Sequence, residues 1–362
     1  MASEAPQSPW LDAWTDRLAS IQTTSANLRF VDVKGNGDSR MLVGHMNSNR
    51  LKAFQGTKLE ADIALPDTPS AIGECTPNSS GSGTSSPVVA VASGSMVFLY
   101  RELRPYGKFM VPHDELAPAE LAAWKSLQTR EHDVVATASA LTAARDEGVQ
   151  LSSRAHEFLG IEDTAAQVSF TRSFRDSLVV QEASVTCMET LTASRTSSCL
   201  VLGTENGRIL ILDSAGTTLL STVQLPATPV ALGCAGEFFV EFSLFVAARD
   251  GKVYTISAGD AREKATLKKT PPIVLGAQPV GLKAIAVDAF VVATMDGHLY
   301  SYERGTHTCL YRPNLGKTDF NVSLNLVFKN SWFAKVEIES FSKLVPLLPV
   351  VLFFEYVHMF WC

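Results

Sequence analysis

The chain has 362 residues, 46% hydrophobic and 19% charged, with a formal net charge of −6 at pH 7. That balance suits a folded chain with a sizeable core and excludes a wholly disordered one. The acidic excess, with no stripe of Lys and Arg, excludes phosphate-backbone binding as a main role, so no nucleic-acid partner is expected.

Residues 1–25 read as an N-terminal extension. Met1 to Trp10 is polar and holds Glu4, without the basic start and apolar stretch of a secretory signal. Val31 to Asp38 looks like a calcium loop, with Asp32 and Asn36 at alternating ligand positions and Gly37 at the sharp turn. Lys34 and Arg40 stand where two oxygens are needed, which favours a plain hairpin or interblade turn. Two hairpins are predicted next, Met41 to Phe54 around Asn47-Ser48-Asn49 and Val88 to Tyr100 around Ser93-Gly94-Ser95. Between them, Thr76 to Pro87 is too polar to offset its chain entropy and reads as a mobile surface loop.

From Pro118 to Gln181 glycine is scarce and Ala, Glu, Leu and Arg are dense, which predicts helices. Pro118 suits a first helical turn and Gly148 the end of a second helix. Three further segments then repeat strand, tight turn, strand: Leu200 to Asp213, Leu244 to Ser257 and Phe290 to Glu303. Their turns, Asn206-Gly207, Asp250-Gly251 and Asp296-Gly297, are the dipeptides of type I′ hairpins. From Gly207 to Gly251 is 44 residues and from Gly251 to Gly297 is 46. That is close to the period of a four-stranded propeller blade, about 40–45 residues. From Gly94 to Gly207 is 113 residues, so the helical segment interrupts the series. The last segment, Lys343 to Cys362, is apolar and nearly membrane length, but Pro346, Pro349 and Glu355 weaken a spanning helix. A tail anchor is the lesser reading there. A tail of non-homologous sequence, from a prematurely ended or mispredicted gene product, is preferred.

Catalytic and metal motifs are not legible, and no cofactor is expected. No HExxH, GxSxG or Walker sequence occurs. The six cysteines form no CxxC pair and no zinc spacing with the seven scattered histidines, which fits a reducing compartment. Cys187 and Cys199 read as small core residues, and His298, beside a hairpin glycine, as structural. Met188, Met295, Phe238, Phe239 and Phe242 are assigned to sheet packing over a recognition surface. A propeller enzyme would need polar groups converging on a central channel. Glu205, Arg249 and Asp250 are the imaginable set, without a companion nucleophile.

An ordered set of strings resembles the Bardet-Biedl syndrome 1 protein family: Trp10-Leu-Asp-Ala13, Ala26 to Gly44, Leu103-Arg-Pro-Tyr106 with Lys108-Phe109, Cys199 to Asn206, Leu225 to Val230, Val240-Glu-Phe242 and Ala277 to Leu282. The likeness runs over residues 10 to 315. It implies a seven-bladed propeller with a helical insertion, in a coat, the BBSome, that carries membrane proteins into and out of cilia. The expected fold is therefore all-β with a helical insertion, an incomplete WD40-like β-propeller of about five of seven blades. Its expected parts are residues 1–25 (extension), 26–110 (first blades), 111–185 (helical insertion), 186–316 (further blades) and 317–362 (atypical apolar tail).

The resemblance also implies partners: other BBSome subunits, ciliary membrane-protein cargo, and a GTP-bound Arf-like small GTPase held by the first and last blades. Membrane contact would be indirect, with localisation in the cytoplasm, cilium, ciliary membrane and basal body. For a chain lacking the last blades, weak or absent GTPase binding is expected. On the first blade the exposed loop Asn47, Ser48, Asn49, Arg50 and Lys52 is the candidate partner-binding site, with an ordinary solvated turn as the competing reading. A generic propeller adaptor outside cilia and a non-functional fragment stay open as alternatives, although no Trp-Asp dipeptide closes a blade.

Overall fold

The computed structural model describes residues 20–78, 86–129, 133–149, 151–172, 180, 182–258, 267–269, 271–303 and 306–311, with the pairs 325–326 and 352–353. Most of the Thr76 to Pro87 loop, most of the N-terminal extension and nearly all of the C-terminal tail lie outside the described residues. The chain divides into two compact units, 1–109 with 184–362, and 110–183 between them.

The first unit is an incomplete β-propeller, and its described residues form five blades. Blade 1 holds β1 (Leu28–Val31), β2 (Arg40–His45), β3 (Arg50–Gln55) and β4 (Lys58–Ala64). Blade 2 holds β5 (Pro69–Cys75), β6 (Val88–Ser93), β7 (Met96–Arg101) and β8 (Arg104–Met110). Blade 3 holds β9 (Val185–Ser194), β10 (Ser197–Thr204), β11 (Arg208–Leu212) and β12 (Leu219–Gln224). In blade 4, β13 (Pro229–Glu237), β14 (Glu241–Ala248) and β15 (Lys252–Ala258) are completed by β16 (Leu267–Lys269) and β17 (Ile273–Val274), which both pair with β15. Blade 5 holds β18 (Pro279–Ala286), β19 (Ala289–Thr294), β20 (Leu299–Glu303) and β21 (Thr306–Tyr311). Within each blade successive strands pair in chain order, except that β16 and β17 both pair with β15. A single parallel bridge, Glu237 to Thr192, joins blades 3 and 4 through their first strands.

Burial explains the strand sequences. The second strands of blades 2 to 4 lie between two neighbouring blades and are largely apolar, as in the fully buried β6, Val-Val-Ala-Val-Ala-Ser. Each Val or Leu so placed contributes roughly 1.5–3 kcal/mol of burial. One core cluster joins blades 1 and 2 through Leu42, Leu51, Ile72 and Val91. Others join blades 3 and 4 (Val201, Ile211, Leu244, Val246) and blades 4 and 5 (Phe245, Val253, Leu282, Phe290). Blades 2 and 3 meet directly although the helical unit separates them in sequence. Thr190 donates its hydroxyl to the Glu74 carbonyl at 2.7 Å, and the Ser198 N–H reaches the Thr76 carbonyl at 3.0 Å.

The blade junctions repeat one device. Leu65, Leu225 and Leu275 each open a linker by donating N–H to the preceding hairpin turn, at Asn49, Gly207 and Gly251. Pro69, Pro229 and Pro279 then begin the next first strand, and each is followed by a register shift. A proline lacks the donor that ladder pairing needs, so the start of a strand and a bulge are where it fits.

The three repeated turns are not type I′, which corrects the reading from their dipeptides. Asn206, Asp250 and Asp296 do not have positive φ; Gly207, Gly251 and Gly297 do, at 83°, 76° and 80°. Each glycine N–H bonds three residues back, to Thr204, Ala248 and Thr294. This is a type I turn closed by a left-handed glycine, a three-residue connection. The Thr204 and Thr294 hydroxyls hold two of the turns by donating to Asn206 and Asp296, both at 2.5 Å.

The second unit contains α1 (Pro118–Gln128), α2 (Val134–Asp146), α3 (Ser153–Leu159) and α4 (Thr164–Arg172). Pro118 opens α1, and Asp133 and Ser152 cap α2 and α3 through the Ala136 and Ala155 N–H groups. Trp124, Leu127, Leu141 and Phe158 form its core, with the Trp124 and Phe158 rings edge to face at 5.3 Å. Among the described residues, no helix is long and apolar enough to cross a membrane.

Candidate interaction surface on the first blade

The β2–β3 turn carries the residues expected to bind a partner. Asn47 and Ser48 are exposed at its tip. Asn49 takes the place that glycine holds in the later turns, with φ 51°, a conformation asparagine tolerates better than most residues. Its amide oxygen accepts from the Thr68 hydroxyl at 3.1 Å and its carbonyl from the Leu65 N–H at 2.8 Å, which fixes the turn to the linker behind it. Arg50 donates through Nε to Asp62 Oδ1 at 2.6 Å, and Lys52 Nζ lies 4.0 Å from Asp62 Oδ2. Two cations therefore share one carboxylate, leaving one positive charge in excess. An exposed pair of this kind is worth only about 0–1 kcal/mol, so a competing carboxylate can exchange with Asp62 at little cost.

The same face holds an apolar strip that sequence reasoning missed. Leu42, Leu51, Ala53, Ala61 and Ile63 turn towards blade 2. Alternate residues face the other way. Phe30, Met41, Phe54 and Leu59 are register partners in turn across all four strands, so they form one row on that opposite face. Phe30 is 44% and Leu59 42% exposed. Next to it runs the row Leu28, Val43, Lys52, Asp62. The consecutive apolar residues Phe30-Val31 and Met41-Leu42-Val43, which a strand must divide between two faces, were the available signal; β4, exposed along most of its length, offered none.

The calcium-like loop at the other end of the blade is satisfied by the protein itself. Asp32 accepts from the Gly37 and Asn36 N–H groups at 2.6 and 3.1 Å. Burial raises its carboxyl pKa, but these backbone donors outweigh that and hold it below its ordinary value. Arg40, only 2% exposed, donates to Glu60 at 2.9 Å and to the Asp38 carbonyl at 2.5 Å, and Lys34 reaches Glu60 at 3.1 Å. The hydrogen bond from Arg40, then that from Lys34, lowers the Glu60 pKa. A guanidinium occupies the place a cation would take. Among the described residues, no group of three or more His, Cys, Asp or Glu could hold a metal ion.

On the first strands, Glu189 of β9 lies 3.2 Å from Arg29 of β1 and 3.8 Å from Lys283 of β18. Burial opposes its ionisation, but Arg29 first and Lys283 second hold its pKa below the ordinary value. Glu205 sits on the β10–β11 turn of blade 3, while Arg249 and Asp250 share the β14–β15 turn of blade 4. Asp250 is engaged by the Tyr254 hydroxyl at 2.7 Å and by Lys252 at 3.0 Å. Burial pushes the Cys75 and Cys187 thiols up to about 12 and Cys199 to about 11, so they stay protonated core residues. Of the residues assigned to packing, Met188 and Phe242 are buried and Phe238 partly so, while Phe239 at a hairpin tip and Met295 in the β19–β20 turn are exposed, since no neighbouring sheet covers either.

Residues 10–257 match the family model for ciliary BBSome complex subunit 1. BBSome complex member BBS1 of Homo sapiens is 32% identical over 303 residues, covering 81% of this chain and 50% of the relative. The Mus musculus protein of the same name is 32% identical over 289 residues, covering 77% and 47%. The chain thus spans about half the length of the curated relatives it matches. A crystal structure of BBS1N in complex with ARL6DN is similar with a TM-score of 0.61 and 28% identity, over 84% of this chain and 74% of that one.

Proposed function

Because the chain belongs to the family of ciliary BBSome complex subunit 1, we propose that it is a non-enzymatic scaffold subunit of the BBSome coat whose first blade helps to dock a GTP-loaded Arf-like small GTPase. The observation that carries this reading is the solved relative BBS1N, which matches most of this chain and is in complex with ARL6DN. The first blade suits such a role. An exposed hydrogen-bonding turn, Asn47 and Ser48, lies beside a pair of cations with one positive charge in excess, the polar composition of an interface rim. A small GTPase changes its switch segments with the γ-phosphate, so a surface that reads those segments tells the two nucleotide states apart. In this role the coat moves membrane-protein cargo to and from cilia, and contact with the ciliary membrane runs through partners.

A contact made through the first blade alone is expected to be weak. Calorimetric titration at high micromolar concentration tests it. The GTPase loaded with a non-hydrolysable GTP analogue should bind and the GDP form should not, and Arg50→Glu with Lys52→Glu should weaken binding at least about tenfold. Equal heat from both nucleotide forms, or none from either, would refute it.

A further inference from the structure

The β13–β14 hairpin ends in Glu237-Phe238-Phe239-Val240-Glu241, and its apolar residues divide into two roles. Phe238 turns inward. Its ring lies 5.3 Å from Phe242, and its N–H donates to the Thr192 carbonyl at 2.8 Å, which pins the hairpin to β9 of the neighbouring blade. Phe239 and Val240 turn outward, 75% and 76% exposed, with the Phe239 ring braced edge-on by Phe238 at 4.9 Å. Gly236 has φ 88°, and a Cβ there would overlap the Glu241 carbonyl oxygen, so the tip is set by a conformation glycine alone supplies. Gly236 and the Phe238 anchor thus set the backbone of the tip.

Its flanks are the second observation. Glu237 and Glu241 are direct register partners across the hairpin. Like charges directly opposite each other destabilise a sheet, so the hairpin places two carboxylates at the base of an apolar tip against local preference. The equivalent turn of blade 3, Arg195-Thr196, is polar.

We infer that Phe239 and Val240, bracketed by Glu237 and Glu241, form a docking plug for another protein subunit that presents an apolar pocket rimmed by Lys or Arg. The cations would relieve the carboxylate pair, and a tip whose backbone is already set binds at a smaller ordering cost. A lipid surface fits poorly, because anionic headgroups would meet the two carboxylates. That the pocket belongs to a coat subunit rests on the function proposed above; the chemistry of the plug does not.

The test uses the full chain co-expressed with the remaining coat subunits and purified through one of them. p-Benzoyl-phenylalanine in place of Phe239 should cross-link to one subunit at a peptide with apolar and basic residues, and in place of Arg195 it should not. Phe239→Asp with Val240→Asp, and separately Glu237→Lys with Glu241→Lys, should each weaken that subunit's retention at least about tenfold, with the chain's thermal midpoint unchanged or raised. A coat that assembles with no protein cross-link from position 239, with a lipid adduct there, or with full retention of the lysine variant overturns the plug and leaves the subunit reading intact. Failure of every coat subunit to co-purify overturns both.

Discussion

Glu189 lies 3.2 Å from Arg29, a separation of 160 residues in sequence closed by the first strands of blades 3 and 1. Lys283 of blade 5 approaches the same carboxylate at 3.8 Å. Glu189 thus ties three non-adjacent blades through one side chain. Glu189→Gln leaves Arg29 and Lys283 beside a neutral amide, and a loss of about 1–3 kcal/mol is expected, below the figure for a fully buried pair because all three side chains are partly exposed. Urea unfolding of the variant checks this. Arg29→Met with Glu189→Gln should cost less than the sum of the single changes.

The same carboxylate makes stability depend on pH. Its pKa in the folded chain lies below the ordinary 4.5, so its contribution is fully present above that value and is lost as pH falls through the lower folded value. Unfolding midpoints followed from pH 6 downward should fall through this range, and more gently in the Glu189→Gln variant.

Arg40 should behave as a built-in cation. Arg40→Ala leaves Asp38 and Glu60 without their shared guanidinium, and roughly 2–4 kcal/mol of destabilisation is expected for so buried a partner. Calcium should not raise the melting temperature of the unaltered chain. A calcium-dependent rise in the native protein, measured by calorimetry, would contradict the assignment.

In the helical unit, buried Glu120 accepts from Trp124 Nε1 at 3.1 Å and from the Ser152 N–H at 2.8 Å, and it also takes the Ser152 hydroxyl. It therefore orients the residue that caps α3. Glu120→Leu should cost about 2–4 kcal/mol by leaving buried donors unmet. Amide exchange should rise in residues 118–159 and stay unchanged in the blades.

The turn between β7 and β8 stores a smaller cost. Glu102 and Leu103 both have positive φ, 51° and 63°, although neither is glycine. The left-handed region costs roughly 1–2 kcal/mol per ordinary residue, offset at Leu103 by packing on the core of blades 1 and 2. Glu102→Gly should therefore raise stability, read as a higher denaturation midpoint.

Much of the fold was legible because its signals are local. A turn glycine with an Asn or Asp before it marked three of the five central hairpins, and apolar flanks around a turn-forming centre marked the other two. The turn type was misread because Asn-Gly and Asp-Gly serve two turn geometries, and the hydroxyls of Thr204 and Thr294 favour the one adopted. Outer strands such as β4 and β8 were not legible, since they are exposed along most of their length and need no apolar rhythm. Arg29, Glu189 and Lys283 were invisible for a different reason: their meeting depends on the closure of the blades and leaves no spacing in the chain. In the candidate site the turn could be named from the sequence. Asp62, which holds Arg50 and Lys52, and the strip from Phe30 to Leu59 required the register.

The docking role of blade 1 is tested most directly by hydrogen–deuterium exchange of this chain mixed with an Arf-like GTPase carrying a GTP analogue. Slower exchange is expected in the Asn47–Lys52 turn and along β4, and none of it with GDP. Protection confined to blades 3 to 5, or the same protection with either nucleotide, would contradict it.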